Sequence, residues 1–240
     1  MSQYAFLVTS AINTKFGIFN SSQRLKQTLD TINSIKTRAP GAKIILIEMG
    51  AIPLTEEQSQ QLTSEVDYTL NFNNDPTVVD LFNSTDNWDV VKNVNEVMCF
   101  SRALATLTEH TDVLDGVQRA FKISGRYSLV DEFDINYYDQ YSVQHHIVVS
   151  QAKSSQFPYQ LTHVEKQFMS RLWSWPTALT PEILEAYNKG LVFIQERIIS
   201  GGYCDIEHML YKFLDHNKII EKEVVGIAGH IGPNGVAVKD

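Results

Sequence analysis

Arg119-Ala-Phe-Lys-Ile-Ser-Gly-Arg-Tyr-Ser128 is the stretch on which the reading of this chain turns. An apolar run reaches mid-chain and ends in Lys122, Ser124, Gly125 and Arg126. As a strand it alternates faces, which puts Lys122, Ser124 and Arg126 together and sends Phe121 and Ile123 into a core. Two fixed cations, a hydroxyl and a glycine that admits close backbone approach suit a multiply charged anion such as a diphosphate. The plainer reading, a strand end with solvent-facing Lys and Arg, stays open on this feature alone.

Working outward, the segments before this one alternate strand and helix. Tyr4 to Val8 forms a short apolar strand running into Thr9-Ser10. Ser21 and Ser22 are candidate caps for a helix whose Leu25, Leu29, Ile32 and Ile35 recur at helical spacing, and Pro40-Gly41 breaks it. Lys43 to Ile47 is a second strand ending in Glu48, Thr55 opens a short helix to Leu62, and Val66 to Phe72 is a third strand. From Trp88 a longer helix carries an apolar stripe of Val90, Val94, Val97, Met98, Leu104 and Leu107. This order predicts an α/β fold: a mostly parallel central sheet flanked by helices. Ligands of such sheets sit at the carboxyl ends of the strands, where Thr9-Ser10, Glu48 and Ser124-Gly125-Arg126 all fall.

The second half is less regular. His145 to Ser150 reads as a strand, and the aromatic segment Phe168 to Trp175 ends at Pro176. A helix runs from Pro181 to Ile199 after a Thr180 cap and stops at Gly201-Gly202. Asp205 caps a further helix, Ile206 to Leu214. Val224 to Ile231 is a final strand, followed by a Gly-Pro-Asn-Gly turn at 232–235.

Composition excludes several classes. The 240 residues carry a net charge of -8, which disfavours a protein that coats nucleic acid by neutralising phosphates. No apolar run approaches the ~18 residues needed to span a bilayer. The N-terminal residues lack a signal-peptide pattern, so the two cysteines, Cys99 and Cys204, read as free thiols and the location as cytoplasmic. A dinucleotide fingerprint, a Walker A loop, a nucleophile elbow and H-E-x-x-H are all absent. On a strand, His145 and His146 point to opposite faces and share no metal. Asp131-Glu132-Phe133-Asp134 reads as a turn or helix start more readily than as a metal site.

Three stretches together resemble the GT-A type nucleotide-sugar glycosyltransferases, chiefly their microbial, bacterial and viral, members. The first is the opening strand with Arg24 on the next helix and Ile44-Ile-Leu-Ile-Glu48. The second is the helix with Lys92, Glu96 and Ala103-Leu104, followed by Phe121-Lys-Ile-Ser-Gly-Arg-Tyr127. The third is Tyr203-Cys-Asp-Ile-Glu-His208 with Gly226-Ile-Ala-Gly-His-Ile-Gly-Pro-Asn-Gly235. The Lys-Ile-Ser-Gly-Arg-Tyr string is the most specific of these.

The resemblance implies a single GT-A-like, Rossmann-like domain over 1–240, with a nucleotide-sugar-binding half at 1–130 and an acceptor-side half at 131–240. It implies a transferase that moves a hexose or pentose from a nucleotide-sugar donor to a hydroxyl acceptor, a glycan or another molecule, with a nucleic-acid acceptor less favoured by the charge. Donor binding would fall to Thr9, Ser10, Arg24, Glu48, Lys92, Lys122, Ser124, Gly125, Arg126 and His230. Thr9 and Ser10 would lie near the base or ribose and Glu48 on the nucleoside. Most relatives hold a divalent metal through D-x-D, and here the corresponding strand end is Ser124-Gly125-Arg126. No metal ligand is therefore assigned, Lys122 and Arg126 take the diphosphate charge, and a manganese or magnesium cofactor stays open, with Asp131, Glu132 or Asp134 as the alternative site.

Proton removal from an attacking hydroxyl needs a carboxylate or histidine. Asp205, Glu207 and His208 are the catalytic candidates, although Asp205 also serves as a helix cap and Glu207 suits a helix first turn for purely structural reasons. His230 likewise has a structural reading. Trp173 and Trp175 share a strand face and, with Arg171 and Tyr187, are candidates for the acceptor side; core packing is the competing reading. A nucleotidyltransferase and a non-catalytic glycan- or polyanion-binding module are the alternative functions.

Overall fold

The computed structural model describes residues 3–232 and 235–240. Three parallel strands come first: β1 (Tyr4–Ser10), β2 (Lys43–Glu48) and β3 (Tyr68–Asn71), with α1 (Ser21–Arg38) and α2 (Glu56–Thr63) between them. Both helices open on capping boxes. Asn20, rather than Ser21 or Ser22, caps α1 by accepting from the Gln23 amide, and Thr55 does the same for Gln58 in α2. Next come α3 (Pro76–Ser84), which the sequence reading did not find, and α4 (Trp88–Glu109). Asp75 caps α3, with Pro76 in its first turn.

β4 (Arg119–Ser124) inserts beside β1, with Tyr4 opposite Arg119 and Thr9 opposite Ser124. It is followed by β5 (Tyr127–Leu129), β6 (Ile147–Ser150), β7 (Lys153–Ser154), the one-turn α5 (Tyr159–Thr162) and β8 (Lys166–Gln167). The chain ends in β9 (Leu172–Pro176), α6 (Thr180–Ile199), α7 (Ile206–Phe213), β10 (Ile219–Lys222), β11 (Ile227–His230) and β12 (Ala237–Lys239).

Seven strands form the central sheet in the order β10-β6-β9-β4-β1-β2-β3. Only β9 runs against its neighbours, so the sheet is mostly parallel, as expected. A second sheet, β12-β11-β5, is antiparallel and covers one face. Alternation assigns the layers. Phe6, Val8, Phe121 and Ile123 pack toward α1 and the small sheet, while Ala5, Leu7, Trp173 and Trp175 pack toward α4, α6 and α7. Among the described residues no helix is long and apolar enough to cross a membrane.

Several local expectations are corrected. β4 stops at Ser124, and Arg126 lies in the turn beyond it, its amide donating to the Ser124 carbonyl at 2.7 Å. Arg126 therefore leaves the alternation that was to align it with Lys122. His145 and His146 precede β6 in a turn and are not on its faces. The Thr180 hydroxyl accepts from the Trp175 indole at 3.1 Å instead of capping α6. The expected strand Val224 to Ile231 shortens to β11, an unforeseen strand β12 follows the turn at 232–235, and Pro233 and Asn234 of that turn lie outside the described residues.

Candidate functional site

Because β1, β2 and β4 are parallel neighbours, their carboxyl ends coincide, bringing Thr9 beside Ser124 and Ser10 beside Glu48. A cleft opens there. Thr9 and Ser10 at the end of β1, Ser124, Gly125 and Arg126 at and just beyond the end of β4, Arg24 of α1, and Lys92 and Glu96 of α4 all line it. Gly125 is required by packing: its amide donates to the Thr9 carbonyl at 2.8 Å, and a Cβ would lie 2.9 Å from the Thr28 hydroxyl.

The cleft is cationic. The Arg126 Nε is buried with no hydrogen-bond partner. Lys92 rests over the Trp88 ring, 5.6 Å from its centroid. Arg24 is bound to the backbone, donating to the carbonyls of Phe19, Ala11 and Phe16 at 3.1, 3.2 and 2.9 Å, which shapes the loop after β1. Burial, and then the neighbouring charge of Arg126, pull its pKa down to about 10. Glu96 is the one carboxylate on the wall. Burial opposes its charge, but Lys122 and Lys92 outweigh that and hold it below the usual carboxylate range.

Three assigned donor residues sit elsewhere than expected. Lys122 is fully buried, and its ammonium bonds Glu96 and the Ser170 carbonyl, both at 2.9 Å. It lies beneath the cleft as the partner of Glu96 and does not offer its charge to a ligand. Glu48 is also fully buried, accepting from the Ser10 hydroxyl and from the Ile12 and Gly50 amides at 3.1 Å. Burial pushes its pKa up. It ties the ends of β1 and β2 together and presents nothing to a nucleoside. His230 ends β11, exposed and edge-on to Phe19, and is not among the residues that line the cleft.

Asp205 caps α7 and gathers the catalytic candidates. Its Oδ1 takes the His208 amide at 3.0 Å and lies 2.6 Å from His208 Nδ1, while Oδ2 accepts from the Tyr203 hydroxyl at 3.0 Å. Burial opposes the charge of Asp205, but the bonds from His208 win and lower its pKa. Glu207 goes the other way: burial, then the Asp205 charge, push it up, and its Oε1 accepts from Ser170 Oγ at 2.6 Å. Lys92 acts electrostatically on both carboxylates, so this cluster adjoins α4, although none of Asp205, Glu207 and His208 is among the residues that line the cleft.

The acceptor-side assignments are corrected. Trp173 and Trp175 do share a face, but they are 1% and 0% exposed and pack with Phe100 and Tyr187. Their rings are core, with no face left for a sugar. Arg171 pairs with Asp240 beside the Tyr127 ring. What the sequence reading missed is an aromatic wall: Phe16 lies edge-on to Phe82 and to Trp88, at 6.3 and 6.0 Å, and all three line the cleft. Phe82 belongs to α3, and the Asp75-Pro76 pair was the signal for it.

The residues present do not form a divalent-metal site of the D-x-D kind. The end of β4 offers Ser124, Gly125 and Arg126, and Glu96 is committed to Lys122. Asp131 pairs with Arg38 and Glu132 with Lys239, while Asp134 accepts from the Asn136 amide. Among the described residues no group of three or more His, Cys, Asp or Glu could hold a metal ion.

No family model and no curated protein sequence matches this chain. Solved structures do. The mannosyltransferase Ktr4p of S. cerevisiae superposes with a TM-score of 0.56 at 10% identity, covering 97% of this chain and 71% of that one. The galactosyltransferase LgtC, solved with donor and acceptor sugar analogues, gives 0.53 at 7% identity, covering 90% and 72%. Core-mannan synthase A of Aspergillus fumigatus, in an Mn/GDP form, gives 0.48 at 11% identity over 98% and 77%. The chain has the GT-A glycosyltransferase fold.

Proposed function

We propose that this protein is a glycosyltransferase that moves a sugar from a nucleoside-diphosphate donor to a hydroxyl acceptor. One observation carries the reading. At the end of β4, where the parallel strands converge, Arg126 faces the cleft with a buried, unpartnered Nε. A guanidinium with a buried, unpartnered Nε and no carboxylate paired to it is matched to a phosphate ligand. Lys92 supplies a second charge to the same cleft.

During transfer the anomeric carbon leaves the diphosphate oxygen and bonds the acceptor oxygen, whose proton must go to a base. Negative charge grows on the diphosphate, and Arg126 with Lys92 stabilises it there without needing a metal. Of the three catalytic candidates, Asp205 suits the base: it is held ionised by His208, whereas Glu207 is biased toward its protonated form. His208 positions Asp205, and Ser155 Oγ in turn lies 2.8 Å from His208 Nε2. The aromatic wall of Phe16, Phe82 and Trp88 gives the nucleoside an apolar surface in place of Glu48. Residues 1–130 thus serve chiefly the donor and 131–240 the acceptor.

A thermal-shift panel of UDP-, GDP- and CDP-sugars, run with manganese and with EDTA, tests the reading. At least one nucleotide sugar should stabilise the protein in EDTA and be slowly hydrolysed by it. A protein stabilised by none of them, in either condition, is not this enzyme.

A further inference from the structure

With Trp173 and Trp175 in the core, the acceptor face lies elsewhere. The β7–β8 hairpin leads into a loop in which Phe157 is fixed by Ser155: its amide donates to Ser155 Oγ at 3.0 Å, and the same hydroxyl donates to the Phe157 carbonyl at 2.9 Å. Ser155 is also the hydroxyl bonded to His208. The Phe157 ring meets that of Tyr203 at 4.4 Å, tilted 46°, and lies 6.2 Å from His208. It nevertheless remains 37% exposed.

Tyr203 connects this surface to the chemistry. Its hydroxyl donates to Asp205, and it adjoins Asp89 and Asn93 of α4, which directly follow Trp88 and Lys92 of the cleft wall in sequence. Two rings, rigidly held and half open, therefore end on the carboxylate assigned as base. Flat aromatic carbon with a polar tip matches a pyranose, which offers C–H groups on one face and hydroxyls at its edge. Asp89 and the ionised Asp205 place negative charge beside Tyr203, which disfavours a phosphate-bearing molecule on these rings.

We propose that the acceptor is a neutral glycan whose terminal sugar stacks on Phe157 and Tyr203, delivering a hydroxyl to Asp205. The proposal rests on the glycosyltransferase reading and names the acceptor class of that site.

A glycan array probed with the labelled full chain, in the presence of UDP and of GDP, tests it. The wild type should retain neutral hexose-terminated glycans. Phe157→Ala should weaken that retention about tenfold, the loss expected from removing one stacked ring. Phe157→Tyr should restore it, and Tyr141→Ala, at a ring 84% exposed, should change nothing. Thermal shifts with UDP and GDP, measured on every variant, should be the same throughout and so report folding and donor binding separately. Retention that is equal in Phe157→Ala, confined to phosphorylated glycans, or absent from the array overturns the acceptor face while leaving donor binding intact. Loss of nucleotide binding in the wild type overturns the glycosyltransferase reading instead.

Discussion

The ammonium of Lys122 lies 2.9 Å from Glu96 Oε1 with no part of its side chain exposed to solvent. A cation buried under the cleft is an architectural element, and its removal should be felt as instability. Lys122→Met leaves the Glu96 carboxylate and the Ser170 carbonyl without their donor, a loss of about 3–5 kcal/mol by comparison with other broken buried pairs. Denaturant unfolding should show it, and adding Glu96→Gln should recover part of it.

The same pair gives a pH signature. The Glu96 pKa is lowered in the folded protein, so its stabilisation is complete above the ordinary value of about 4.3 and fades as pH falls through the lower folded value. The melting-temperature gap between wild type and Lys122→Met should therefore be constant near neutrality and narrow below about pH 4. A gap that widens on acidification would contradict the pairing.

Asp205 and Glu207 should separate cleanly. Asp205→Asn keeps the shape of the cap but removes the base, so turnover should fall by about 10²–10⁴ with nucleotide affinity unchanged. Glu207→Gln mimics the protonated form that burial already favours, so activity and melting temperature should stay close to wild type. Steady-state kinetics and nucleotide titration on both variants check this, and equal losses in the two would argue for a different base.

Trp175 should behave as core. Its ring is fully buried, and Trp175→Ala should cost about 3–5 kcal/mol in unfolding free energy while the folded fraction binds nucleotide normally. A variant of normal stability with a raised acceptor KM would return the residue to the acceptor site.

The sequence showed the sheet because β1, β2 and β4 are apolar runs that end in polar residues at the same level. It showed the Asp205 cap because an aspartate before an apolar helix is a local signal. Lys122 illustrates the limit. Alternation gives its side of the strand, but its partner Glu96 lies on a different element, and only packing reveals that α4 covers that side. Trp173 and Trp175 were ambiguous for the same reason: a shared face reads alike whether a helix or solvent lies over it. Arg126 was found for its chemistry, although the turn at Gly125 and not strand periodicity aims it into the cleft. Phe157 gave no sequence signal, since its role depends on the rings of Tyr203 and His208 far along the chain.

Calorimetric titration of wild type and Arg126→Ala with UDP, GDP and CDP tests the central claim most directly. A charged hydrogen bond to phosphate is worth about 1.5–3 kcal/mol, so the variant should bind the preferred diphosphate roughly ten- to a hundredfold more weakly, with an unchanged melting temperature in the absence of ligand. Equal affinity in the two proteins would contradict the assignment of this guanidinium to the leaving group.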